Sequence, residues 1–241
     1  GSATLGRSGS ISISVGSGNS GSGGSISLSA GDSNGGQSGG SVVLKSGSGS
    51  TSSGNLKVAT ADASSNGGVS GFLVFSSGVG SSGNSGSITL ATGQANVGRG
   101  GSIYLTVGSG NSGSGGSVVI SAGKSSQLSG GSIFINTGVA SSLTSQTSGD
   151  LLVSTAGTSP ASGDLLLSTG IASSGNSGWI EIGTGVVASS GLGGSISLVV
   201  GNSISGSGGD VKLKAGDSSS LTGGTITLIS GGGSGTAAST G

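Results

Sequence analysis

The sequence predicts an all-β protein, a parallel β-solenoid of strand-and-loop units of about fifteen residues, with about two strands in each coil. Three observations predict it: a short motif repeated along the whole chain, a strict alternation of aliphatic residues inside it, and turn-forming loops of uniform length between copies. The unit reads glycine, a small or polar residue, apolar-x-apolar, and usually glycine again three residues later. Its first glycine stands at Gly9, Gly24, Gly40, Gly54, Gly71, Gly86, Gly101, Gly116, Gly131, Gly149, Gly163, Gly178, Gly194, Gly209 and Gly224. We number these repeats 1 to 15, and their spacing averages about 15.4 residues.

Each repeat carries two apolar slots. They run from Ile11 and Ile13 in repeat 1, through Ile133 and Ile135 in repeat 9, to Ile226 and Leu228 in repeat 15. All thirty slots are aliphatic except Phe75, whereas the residue between them varies freely, as Ser12, Lys57, Tyr104 and Glu181 show. A two-residue side-chain period of this kind suits a five-residue strand with one buried face. All thirty slot side chains are therefore expected to point inward. A disordered low-complexity chain has no reason to keep such an alternation.

The loops are eight to ten residues of Gly, Ser, Asn and Asp, such as residues 31–39. Glycine and asparagine tolerate positive φ, so the loops suit tight corners. They are too long for a meander of two-residue hairpins. The number of strands per coil rests on the middle residue of each repeat. Odd-numbered repeats carry no charge there, while even-numbered ones hold Lys57, Glu181 and Lys212. Two strands per coil would set a neutral outer face against a charged one.

A longer period overlies the short one. Residues 15–25 and 107–117 both read VGSGNSGSGGS, and residues 200–210 read the variant VGNSISGSGGD. SGNSG recurs at 82–86 and 174–178. Six repeats thus form a super-repeat of about 92 residues, and residues 1–241 are expected to be one continuous solenoid cut from a longer repetitive chain.

Composition removes most chemistry. Of 241 residues, 59 are glycine, only 6% are charged, and seven basic residues balance seven acidic ones. No basic patch exists to hold nucleic acid, and no run is long and apolar enough to insert in a membrane. Histidine and cysteine are absent, which excludes imidazole catalysis, thiol chemistry and thiolate metal sites. The acids are Asp32, Asp62, Asp150, Asp164, Glu181, Asp210 and Asp217. Asp32 and Asp217 occupy matching loop positions, but their third counterpart is Lys124, so they read as turn residues. Asp150, Asp164 and Asp210 replace the serine that usually follows the first glycine. No catalytic, cofactor or metal site is expected, and the chain reads as a non-enzyme.

Four aromatic residues face outward by the alternation rule: Phe72, Tyr104, Phe134 and Trp179. They are candidate lateral packing contacts, or sugar-stacking platforms for a glycan. Aliphatic-Thr-aliphatic triplets at 88–90 and 226–228 hint at an ice-binding threonine array, though only two of the fifteen repeats have threonine there. Pro160 falls in a loop and needs no other role.

The super-repeat, with VGSGNSGSGGS, SAGDS at 29–33, ATAD at 59–62 and SSGNSGSITLATG at 81–93, resembles long Gly/Ser-rich tandem-repeat proteins of heterokont algae and related microbial eukaryotes. That resemblance implies a large secreted or cell-surface polypeptide and carries no catalytic residues. The function expected is a structural one, an extracellular fibre or filament made by self-association. An adhesin or glycan-binding stalk at the cell surface is the alternative, and an ice-binding surface a lesser one.

Overall fold

The computed structural model describes residue 6 and residues 8–64, 67–140, 147–157, 161–188 and 190–232. Pro160 and its expected loop lie outside these residues. The chain divides into an N-terminal segment, Gly1–Ile120, and a C-terminal segment, Ser121–Gly241.

Neither segment contains a helix or a strand among its described residues. This overturns the expected β-solenoid, and with it the two strands per coil. A folded chain makes about one internal hydrogen bond per residue, two-thirds of them between backbone groups. Here the backbone bonds of the described residues are five isolated ones, all within loops. Within each segment no ladder joins one repeat to another among the described residues.

The aliphatic slots are not buried either. All thirty are exposed, and no described residue is buried. The accessible surface is 24004 Å², against about 9,000 Å² for a compact chain of this mass. The physical reason lies in how little apolar surface each repeat owns. Fully burying one aliphatic side chain contributes roughly 1.5–3 kcal/mol. Each repeat has two, while ordering its backbone costs about 1–2 kcal/mol for every residue. A repeat cannot cover its own one-sided face, so cover must come from a neighbour, and within each segment no neighbouring repeat supplies it.

In some repeats the alternation survives as a difference in exposure. In repeat 9 the slots Ile133 and Ile135 are 51% and 65% exposed, while Phe134 between them is 83% exposed. Repeat 10 shows the same contrast, with Leu151 and Val153 at 61% flanking Leu152 at 86%. Repeat 5 departs from it, with the middle residue Val74 at 64% and the slot residue Phe75 at 70%.

Order within each segment is local and sits in the loops. Each loop leaves the ribbon two residues after the second slot and returns at the first glycine of the next repeat. The two ends meet, which makes each loop an Ω-type excursion.

Candidate interaction surface

The loop ends are the best-defined contacts in the molecule. We call the residue two places after the second slot the closing residue. In order these are Val15, Ala30, Ser46, Thr60, Ser77, Thr92, Val107, Ala122, Thr137, Thr155, Thr169, Thr184, Val200 and Ala215. In all fourteen loops a Cβ placed on the next repeat's first glycine would lie within 4 Å of this residue. Only Ala30, Ser46 and Ala215 among the described residues are as much as half-buried, and each is a closing residue.

Closure follows the super-repeat. Val15, Val107 and Val200 hold equivalent places, and their Cγ1 atoms would be 2.6, 2.7 and 2.9 Å from a Cβ on Gly24, Gly116 and Gly209. Ala30, Ala122 and Ala215 are equivalent too. In these loops the amides of Gly40, Gly131 and Gly224 donate to the carbonyls of Gly31, Gly123 and Gly216, each at 2.9 Å. The next loops, begun by Ser46 and Thr137, close through Gly54 N–H to Gly47 O at 2.9 Å and Gly149 N–H to Gly138 O at 3.1 Å. Thr92 and Thr184, again equivalent, donate their hydroxyls to the carbonyls of Gly101 and Gly194, both at a long 3.4 Å. One sequence column therefore selects between methyl packing, a backbone bond and a hydroxyl bond.

Two devices bend the loops between their ends. Gly21 and Gly113 share φ values of 83° and 84°, conformations that favour glycine. In other loops a serine hydroxyl does the work. Ser125 Oγ accepts from Leu128 N–H, and Ser218 Oγ from Leu221 N–H, both at 2.9 Å. These are the serine turns that suit short polar side chains to reversals.

The charged residues stay at the surface. Lys214 pairs with Asp217 at 2.6 Å and Lys212 with Asp210 at 3.5 Å, with all four side chains largely in solvent. Asp217 thus serves its own loop, and Asp210 its own ribbon. Among the described residues no cluster of three or more acids could hold a metal ion, and no helix is long and apolar enough to cross a membrane.

Phe72, Tyr104, Phe134 and Trp179 are all 83–89% exposed. They belong to repeats 5, 7, 9 and 12, and each stands singly on its ribbon. A concave place in the N-terminal segment is lined by other residues: Phe75, Ile88, Thr89 and Leu90 enclose an open notch of about 420 Å³. Three of these are slot residues of repeats 5 and 6, and Thr89 is the middle residue of repeat 6. Sequence reasoning missed the closing residues. Their signal was a column, two places past each second slot, that holds only Val, Ala, Ser or Thr.

Compared with protein-family models, curated proteins and solved structures, the chain matches none.

Proposed function

We infer that this is a non-enzymatic structural protein that works by associating with further copies of itself, forming extracellular fibres or filaments. One observation carries this reading: the thirty aliphatic or aromatic slot side chains recur at a regular sequence spacing, and every one is exposed. Monomeric soluble proteins rarely leave apolar patches of more than a few hundred Å² in contact with water. A face repeated along the whole chain, with no charge imbalance to keep copies apart, favours association.

The partner is a second copy because the face is periodic. Another chain with the same spacing of apolar triplets can cover it repeat by repeat, and each contact adds to the last. The open loops, rich in glycine and serine, remain available to water on the outside of such an assembly. Localisation outside the cell is part of the same proposal, since an assembly of this kind needs no cofactor and no redox control.

Sedimentation velocity over a concentration series tests the reading. Association that grows steeply with concentration is expected, with elongated particles in electron micrographs. A chain that stays monomeric up to millimolar concentration overturns it.

A second reading rests on the exposed aromatic rings. Trp179 and Tyr104 present flat apolar faces to solvent, the surface a sugar ring stacks on. A glycan-binding stalk predicts that Trp179→Ala removes binding to whichever glycan the wild-type chain retains on an array. Unchanged retention by that variant excludes it.

A further inference from the structure

We propose that the loops store chain length, so that the protein acts as a soft, reversible extender under tension. The inference goes beyond self-association and rests on different residues. Its basis is the fourteen closures, each between residues eight to twelve apart that link one repeat to the next, seven of them through a hydrogen bond.

Three features make the closures releasable one at a time. They are local: Gly40 N–H to Gly31 O closes one loop, and Gly54 N–H to Gly47 O closes the next. They are exposed to water or half-buried at most, so water replaces each bond as it breaks. No ladder or core couples one loop to its neighbour among the described residues. A fully paired sheet or buried core would instead yield in one cooperative step.

The geometry also sets the length gained. A loop such as 31–40 has its ends joined, yet its chain can extend by about 3.3–3.6 Å per residue. Opening one loop therefore releases roughly 25–35 Å. Each of the fourteen loops is its own store, and reclosure needs only a short segment to find its own base, which takes on the order of 10–100 ns for ten residues.

The glycine pairs at the loop ends supply the test. Gly23, Gly115 and Gly208 have nothing within 4 Å of a Cβ, whereas their neighbours Gly24, Gly116 and Gly209 would strike the closing valines. Single full-length chains are held in an optical trap, where no second copy is present, and stretched from rest. The wild type is expected to lengthen gradually and reversibly at low force. A variant carrying valine at Gly24, Gly40, Gly116, Gly131, Gly209 and Gly224 is expected to start longer at low force and to lack, for each opened loop, the release of roughly 25–35 Å of extended length that the wild type shows as it is stretched. A variant carrying valine at Gly23, Gly115 and Gly208 is expected to follow the wild type. Identical curves for the wild type and the six-site variant overturn the proposal, as does extension in one large abrupt step. Because the measurement uses single chains, failure here leaves self-association standing, and failure of self-association leaves this standing.

Discussion

Gly24 sits against Val15 so closely that a Cβ on the glycine would lie 2.6 Å from the valine Cγ1. The residue before it, Gly23, has nothing within 4 Å of the same position. Two adjacent glycines thus do different jobs, one at the closure and one in open space. The same contrast recurs at Gly115 and Gly116 beside Val107, and at Gly208 and Gly209 beside Val200.

The first prediction follows from that contrast. Replacing glycine by alanine usually helps a chain by about 0.4–1 kcal/mol, through the unfolded ensemble, where the native backbone accepts alanine. At Gly24 the contact reverses the sign. Valine is stiff about χ1 and cannot swing its methyl aside freely. With Val15 about half exposed, the loop relieves the clash by moving apart at its base. Gly24→Ala is expected to open the loop and Gly23→Ala to leave it closed. The nuclear Overhauser contact between the Val15 methyls and residue 24 reports which occurs. Its survival in Gly24→Ala would refute the closure.

The second prediction separates the two bending devices. Gly21, at φ 83°, is held in a left-handed conformation that costs an alanine roughly 1–2 kcal/mol. Asparagine visits that region more readily. Gly21→Ala is expected to broaden or shift the amide signals of the loop, and Gly21→Asn to perturb them less. In the counterpart loop, Gly206 N–H donates to Ser203 Oγ at 2.9 Å, where the N-terminal copies have Gly18 and Gly110 instead of that serine. There Ser203→Ala is the damaging change. Equal responses of Gly21 to alanine and asparagine would show that φ does not decide the bend.

How far the sequence told this story depends on the range of the interaction. The alternation at Ile133, Phe134 and Ile135 was readable, and it survives there as lower exposure of the two slot residues. Their burial was not readable, because burial depends on a neighbour that the motif does not contain. The step from alternation to stacked strands assumed that such a neighbour lay within the same chain. The loop closures were readable in principle: Ala30, Ala122 and Ala215 match in sequence and close through the same backbone bond. Their signal is faint because closure selects small or β-branched residues that differ little from the Gly/Ser-rich loops around them. The four aromatics are exposed, but so is every slot residue, so their exposure does not separate an outward face from an inward one.

The third prediction concerns the ion pair of Lys214 and Asp217. Its 2.6 Å contact spans three residues, and both side chains are more than three-quarters exposed. Water and salt screen such a pair strongly. The equivalent loop with Lys124 in place of Asp217 closes through the same Gly131 to Gly123 bond, at the same 2.9 Å. Asp217→Asn is therefore expected to leave the loop between Ala215 and Gly224 closed, with unchanged amide exchange at Gly224. Faster exchange there would show that charge, and not the backbone bond, holds the base.

The fourth prediction asks which face joins the copies. If the slot face is the contact, association is hydrophobic in origin. It then strengthens on warming from the cold and changes little between low and high concentrations of sodium chloride, since the chain has no net charge to screen. Paired charges on that face must break it. Ile133→Asp with Ile135→Asp puts two carboxylates where an apolar partner would sit, while Ser126→Asp with Ser129→Asp adds the same charge to the adjacent loop. The first pair is expected to weaken association at least tenfold in dissociation constant, which is about 1.4 kcal/mol. The second pair is expected to change it much less. Sedimentation equilibrium of the two variants decides the matter. If the loop variant loses as much as the slot variant, added charge alone explains the loss and the apolar face is not the contact. If neither loses association, the copies meet through other surfaces, and the outward rings of Phe72, Tyr104, Phe134 and Trp179 become the residues to change next.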